Sequence, residues 1–369
     1  MPNLRTLACL ILLLCTTVAP CIPATTYLSG THVKPHYKWI DLSVLPHCVS
    51  ASAEAINNKR HIAGVSFDGH RDRLFLWHDG LMHDCGSLPN YSDMEAVSMN
   101  EKDEIVGMAR LWKPGSDGSV ESHCGFVCKQ GKMSVLPVAA GGICYSITGI
   151  SLRGEVVGTC ADRQGLLHAF LTAGNSSRLL FAGVAKGFND AGQVVGFSGK
   201  IGYPDGGIHI MDRVVWQRDE LKILKHSVEF TVPNREALIN NSGTILTLNS
   251  ADKTLDILRG KTRRAFSIFT LIEGALSFEF TQFNNKEQAA GSRYDDFDFD
   301  KAIVLSGDRV YTLEECIHSS TRSRHSAKIN LITANGINER GEIVCTGEKL
   351  GDMKHDHSSS RAILLTPIN

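Results

Sequence analysis

The chain has few of the marks that announce a function. Its charge leans to neither sign, with 38 Lys and Arg against 39 Asp and Glu, so the basic footprint of a nucleic-acid partner is missing. Beyond the N-terminal segment no run approaches the ~18 apolar residues of a membrane-spanning helix. There is no Gly-x-Ser-x-Gly elbow, phosphate loop, His-Glu-x-x-His or dinucleotide fingerprint. Scattered carboxylates could serve glycosidic chemistry, but no spacing singles out a pair. Low-complexity tracts, helical periodicity and an obvious linker after residue 37 are absent too. A hydrophobic content of 43% is that of an ordinary globular chain.

What is present is a repeat. An apolar residue, usually Asn, two variable residues, often Gly, and a β-branched segment ending in Gly recur in seven copies. These are Ala55–Gly64, Ser98–Gly107, Gly149–Gly158, Gly187–Gly196, Leu238–Thr247, Gln282–Gly291 and Gly336–Cys345. The apolar markers Ile56, Met99, Ile150, Phe188, Ile239, Phe283 and Ile337 stand 38 to 54 residues apart. That period belongs to an array or a propeller. Asn starts an Asx-type turn, and a fourth-position Gly tolerates positive φ, so each tetrad reads as a hairpin turn. Arg60, Asp103 and Glu287 replace that Gly and predict costlier turns. The Asn residues themselves read as punctuation.

A third apolar segment follows each hairpin, from Leu74–Trp77 and Phe126–Cys128 to Ala362–Leu365, and a fourth follows a polar turn, as in Leu81–Pro89. Four short strands per unit make a small antiparallel sheet that must stack on its neighbours to bury its faces. The expected fold is all-β: one seven-bladed β-propeller of four-stranded antiparallel blades over residues 38–369. The seventh unit stops at its third strand. Trp39–Pro46 matches Met82–Pro89 in its Asp and its terminal Leu-Pro, so this N-terminal strand is expected to close the last blade and remove an exposed edge.

The units resemble the bacterial HAF repeats, exported repeat proteins whose pattern runs Gly-Ile-Asn, turn, Gly, Val-Val-Gly, then His-Ala-Phe-Leu-Trp and a segment like Asp-Leu-Gly-Thr-Leu. His168-Ala169-Phe170-Leu171 with Gly187–Gly196 carries the match, and Leu76-Trp77 and Asp84–Pro89 retain other parts. Units five and six are degenerate. The resemblance implies exposure at the surface or envelope, and it brings no catalytic residues.

Met1–Ala24 holds one Arg, a nine-residue apolar core from Leu7 to Cys15 and small residues around Ala19 and Ala24, the layout of a secretory signal peptide. Cys15 or Cys21 would have to be acylated for a lipoprotein, and Leu14 and Pro20 before them fit that poorly. Thr25–Tyr37 reads as an exposed lead-in. The expected location is therefore periplasm, cell surface or extracellular space. Of eleven Cys, removal of Cys9, Cys15 and Cys21 leaves eight, a number compatible with disulfides in an oxidising compartment. Cys124, Cys128, Cys144 and Cys160 are the candidates for a local bridge. Cys124 and Cys128 lie ~13 Å apart along a strand, too far for one Zn²⁺. Asn-x-Ser sequons stand at Asn90, Asn175 and Asn240.

Strands are committed to packing, so function falls to loops on one face. The variable connections are Met108–His123, Phe197–Asp212, Glu348–Arg361 and Cys316–Asn335. On the same face Asp296, Asp298 and Asp300, beside Asp295, offer an Asp-x-Asp-x-Asp spacing that can present oxygens to Ca²⁺, without the Gly and distal Glu of an EF-hand loop. No other cofactor is expected. Arg322, Arg324, His325 and Lys328 form a basic loop able to meet an acidic surface. His355 and His357 could supply two imidazoles to a metal, with no third ligand assignable. Three readings follow in order: a monomeric, non-catalytic scaffold binding a protein or glycan; a structural envelope component with disulfide links; and a propeller-type glycan hydrolase or lyase.

Overall fold

The computed structural model describes residues 34–112, 120–202, 208–231, 237–249, 254–267, 277–294, 300–318, 329–349 and 360–368. After β1 (Tyr37–Asp41), the first repeat unit folds as β2 (Ser50–Ile56), β3 (Ile62–Phe67), β4 (Asp72–His78) and β5 (Leu81–Gly86). The second is β6 (Asp93–Met99), β7 (Ile105–Trp112), β8 (Val120–Lys129) and β9 (Lys132–Val135). The third begins with β10 (Ile143–Ile150), β11 (Glu155–Ala161) and β12 (Leu167–Ala173), and β13 (Ser176–Phe188) leads into β14 (Val194–Ser198), β15 (Ile208–Gln217) and β16 (Glu220–Thr231). The fifth and sixth units are β17 (Ala237–Ile239), β18 (Ile245–Asn249), β19 (Thr254–Arg259) and β20 (Thr262–Ser267), then β21 (Ser277–Phe283), β22 (Ala289–Tyr294), β23 (Lys301–Ser306) and β24 (Arg309–Thr312). A one-turn helix, α1 (Leu313–Cys316), precedes β25 (Ile329–Ile337), β26 (Ile343–Lys349) and β27 (Arg361–Pro367).

Strands pair antiparallel in sequence order, giving four-stranded sheets β2–β5, β6–β9, β17–β20 and β21–β24 and a seven-stranded sheet β10–β16. The last sheet runs β1-β27-β26-β25, with Trp39 opposite Leu365 and Asp41 opposite Ile363. The N-terminal segment thus supplies the outer strand that the seventh repeat lacks. Two details differ from expectation. Tyr37, assigned to an exposed lead-in, is 1% exposed and pairs with Pro367, because its ring packs among Cys316, Cys345 and Leu365. The paired stretch ends at Asp41 rather than Pro46: Ser43 turns away with φ 73°, its N–H taken by Asp41 Oδ1.

The seven-stranded sheet also departs from one sheet per unit. β13 pairs with β12 through Ser176–Ala182 and with β14 through Gly183–Phe188, serving as the outer strand of one unit and the first strand of the next. No connecting loop remains, which accounts for the 38-residue spacing between markers Ile150 and Phe188. Gly183 makes the change of direction, with φ 127° in a position where a Cβ would run into the Phe197 carbonyl.

The core lies between consecutive sheets. Leu74, Met94, Phe126 and Cys128 fill the first–second junction. Phe280, Phe283, Ile303 and Leu305 pack against Leu246 and Leu255 between the fifth and sixth, and Val344 and Leu364 of the last sheet pack on Ala53, Ile56 and Phe75 of the first. The repeat's strand-ending Gly is explained here. A Cβ on Gly107 would meet the Glu95 carbonyl and come within 2.7 Å of Phe126 Cζ. The third-strand Phe therefore lies flat on backbone, which a larger residue would forbid.

Candidate functional site

The Asn turns do more than punctuate. In the first unit Asn57 Oδ1 accepts the N–H groups of Lys59 and His61, while the Arg60 N–H donates to the Asn57 carbonyl. Arg60, Asp103 and Glu287 take φ 69°, 61° and 58° where the other copies use Gly154, Gly192, Gly243 or Gly341, the left-handed geometry the spacing predicts. The Asn side chains are nonetheless buried, 2–5% exposed, and each Nδ2 reaches the next unit. Asn57 donates to the Asn100 carbonyl, Asn100 to Ser151, Asn189 to Asn240, Asn240 to Asn284, Asn284 to Asn338, and Asn338 back to Asn57. Ser151 has no amide to offer. There the link passes from the Leu152 N–H to Asp190 Oδ1.

A second tier lies deeper in the first strands, at a β-bulge two residues before the marker. Glu54, Val97, Thr148, Lys186, Thr281 and Asn335 occupy it. Bulges re-aim a side chain, and four of these reach the backbone of the following unit. Glu54 Oε2 accepts the Ala96 N–H; Thr148 and Thr281 donate to the Ala185 and Ala334 carbonyls; Asn335 donates to the Ala53 carbonyl. Burial pushes the Glu54 carboxyl pKa well up, helped by Glu95, although Ser52 and the Ala96 N–H pull it down.

First strands and turns together line a central cavity of about 420 Å³, to which all seven units contribute. Its turn-side mouth carries Asn58, Glu101, Asp190, Asn241 and Glu339. Glu339 takes the Asn285 N–H, and burial nevertheless raises its pKa. Inside, Arg110 bonds Asp93 and Glu95 at 3.1 and 2.9 Å. Burial works against its charge, but the two carboxylates outweigh it and raise the guanidinium pKa. Amides, hydroxyls and paired charges suit the cavity to a polar ligand.

The open end of the molecule belongs to two connection types, from second to third strand and from outer strand to next unit. Alternation in an antiparallel sheet puts both opposite the Asn turns. The turn end is uniform, whereas the other end varies from Asp68–Arg71 to the stretch 350–360. The candidates Asp295, Asp296, Asp298, Arg322, Arg324, His325, Lys328, His355 and His357 lie outside the described residues. Asp300 is described and precedes β23. Among the described residues no group of three His, Cys, Asp or Glu is arranged to hold a metal. That includes the neighbouring rings of His61, tilted on His78 at 5.1 Å, and His83, stacked on His78 at 4.2 Å between centroids.

The eight cysteines among the described residues are free thiols in this structure. Cys144 and Cys160 face each other across β10 and β11, and burial lifts them to about 12 and about 11. Cys124 and Cys128 share the core between the first and second units. Cys128 contacts Cys85, which sequence spacing did not single out, because the two lie 43 residues apart in different units. Of the sequons, Asn240 is buried whereas Asn90 is exposed.

No protein-family signature matches the chain, and no curated protein is similar to it in sequence. Solved structures are similar in fold. The β-propeller domain of the trilobed protease from Pyrococcus furiosus, which has an open velcro topology, matches with a TM-score of 0.54 at 10% identity over 86% of this chain and 92% of that one. Acylaminoacyl peptidase from Pyrococcus horikoshii gives 0.51 at 11% identity, over 82% of this chain and 50% of that one. Virginiamycin B lyase from Staphylococcus aureus gives 0.50 at 9% identity, over 90% and 100%. At such identities the likeness is one of architecture: an all-β chain with the fold of a β-propeller.

Proposed function

We propose that the chain is a closed seven-bladed propeller of the HAF-repeat kind, exported by its N-terminal leader. In this reading it is a non-catalytic scaffold that binds a protein or glycan where the long connections emerge. The blade count is supported by the seven Asn turns, by division of the β10–β16 sheet at β13, and by the bonds from Asn338 and Asn335 back to the first unit. Pairing of β1 with β27 supports closure. The observation that carries the binding reading is the contrast between the two ends. Tight turns of one design latch the units at one end, and all large variation in connection length falls at the other, where recognition costs the scaffold nothing in packing.

The test is saturable binding to a panel of envelope proteins and glycans, measured with the full chain and with residues 319–328 replaced by Gly and Ser. The reading expects binding that is lost in the replacement while the melting temperature stays unchanged. Turnover of a glycan, abolished by a single carboxylate substitution in the cavity, would overturn it. Export is checked separately by N-terminal sequencing of the mature protein, with cleavage expected near Ala19 or Ala24.

A further inference from the structure

Two thiols from different units meet at the first–second junction. Cys85 lies in β5 between residues paired out of register, Asp84 opposite Phe75 and Gly86 opposite Leu74. It is therefore the extra residue of a bulge, and a bulge turns its side chain out of the ordinary alternation. The turned side chain packs with Leu74, Met94, Phe126 and Cys128 in the core between the two sheets. There Cys85 packs against the cluster that holds Cys128, and the two thiols interact across the junction. Cys128 is 2% exposed on β8, whereas Cys85 is half-buried near the outer edge of its sheet. One thiol is thus within reach of a reagent, and the other is held against it.

We propose that Cys85 and Cys128 close a disulfide between the first and second sheets when the protein meets a disulfide-bearing thiol oxidant. The Cys85 thiolate attacks the oxidant's disulfide, forming a mixed disulfide and releasing one oxidant sulfur as thiolate. The Cys128 thiolate then attacks Cys85 Sγ, displacing the second oxidant sulfur. Two protons leave the protein and two electrons reduce the oxidant's disulfide to two thiols, so the step balances. Cys128, buried in the cluster against which Cys85 packs, is the thiol placed to resolve the mixed disulfide. The other facing pair is placed differently: Cys144 Sγ lies 3.9 Å from Met108 Sδ and 3.9 Å from the Ser146 carbonyl, with both thiols of the pair buried. The bridge would tie the outer strand of one sheet to the third strand of the next, across the apolar core of that junction. It does not depend on which ligand the loops take.

The experiment incubates the folded, reduced full chain with oxidised glutathione, alkylates remaining thiols under denaturing conditions and maps the unreduced peptides by mass spectrometry. The expected product links the Cys85 and Cys128 peptides and is two hydrogens lighter than their sum. It persists in Cys124→Ser and is lost in Cys85→Ser, whose half-buried site tolerates the change. Reduction should lower the melting temperature of the oxidised chain by about 5 °C and leave that of Cys85→Ser unmoved. Cys85 remaining fully alkylatable after oxidation, or Cys128 appearing linked to another cysteine, overturns the proposal.

Discussion

Asn240 shows how much one residue of the repeat is asked to do. Its Oδ1 accepts the N–H groups of Ser242 and Thr244, and its Nδ2 donates to the Asn284 carbonyl of the next unit, all at 2% exposure. Asn240→Ala leaves buried backbone groups unsatisfied and should cost about 2–4 kcal/mol. Exposed Asn241→Ala should cost less than about 1 kcal/mol. Urea melts of the two variants decide it, and equal losses would refute the latch. Glu54 gives the opposite sign. Its pKa is raised in the folded state, so folding favours the protonated acid. That contribution is complete below the unfolded carboxylate range near pH 4.3 and is lost as pH climbs through the higher folded value. Glu54→Gln should therefore melt higher than the parent at pH 8, and the gap should shrink toward pH 4. A constant gap would mean the carboxyl is not held in its neutral form. The turn role of the Asn residues was legible from the tetrad, since Asx chemistry is local. Their second role and the bulge residues were not, because a hydrogen bond across 38 to 54 residues has no signature inside the repeat that makes it.

Among the elements, the terminal strand carries the clearest consequence. β1 gives the last sheet five rungs, from Tyr37–Pro367 to Asp41–Ile363, and sets Leu42 and Leu45 into the core against the first sheet. Deleting residues 34–46 should lower the melting temperature by 10 °C or more, at roughly 2–4 °C per kcal/mol for a chain of this size, and promote association through the bared β27 edge. A monomeric truncation that melts like the parent would rule this pairing out of the stability of the fold. The match of Trp39–Pro46 to Met82–Pro89 made the strand legible. Its early end at Ser43 was not, because a positive φ at Ser depends on where the chain must go next. β13 teaches the same lesson. The short marker spacing was visible, but only the position of Gly183 against Phe197 turns it into one strand shared by two units.

At the scale of the molecule, each sheet buries its faces only against its neighbours, so no part should stand alone. A fragment of residues 34–142, holding two complete repeat sheets, should show no cooperative thermal transition and should aggregate. A sharp two-state melt from that fragment would mean the sheets are independently stable. The candidate sites divide along the same line. Asp296, Asp298, Arg322 and His355 were chosen by local spacing within loops, whereas the cavity and the Cys85–Cys128 contact arise from units brought together by stacking.

The sequence by itself determined the strand unit, its turn and its sevenfold recurrence, because Asx turns, alternation and glycine φ act over a few residues. Only the tertiary structure decided how the units hold one another. The Asn ladder, the bulge contacts, the shared strand and the thiol pair all join atoms of different repeats, and their distances are set by sheet stacking rather than by any neighbour along the chain.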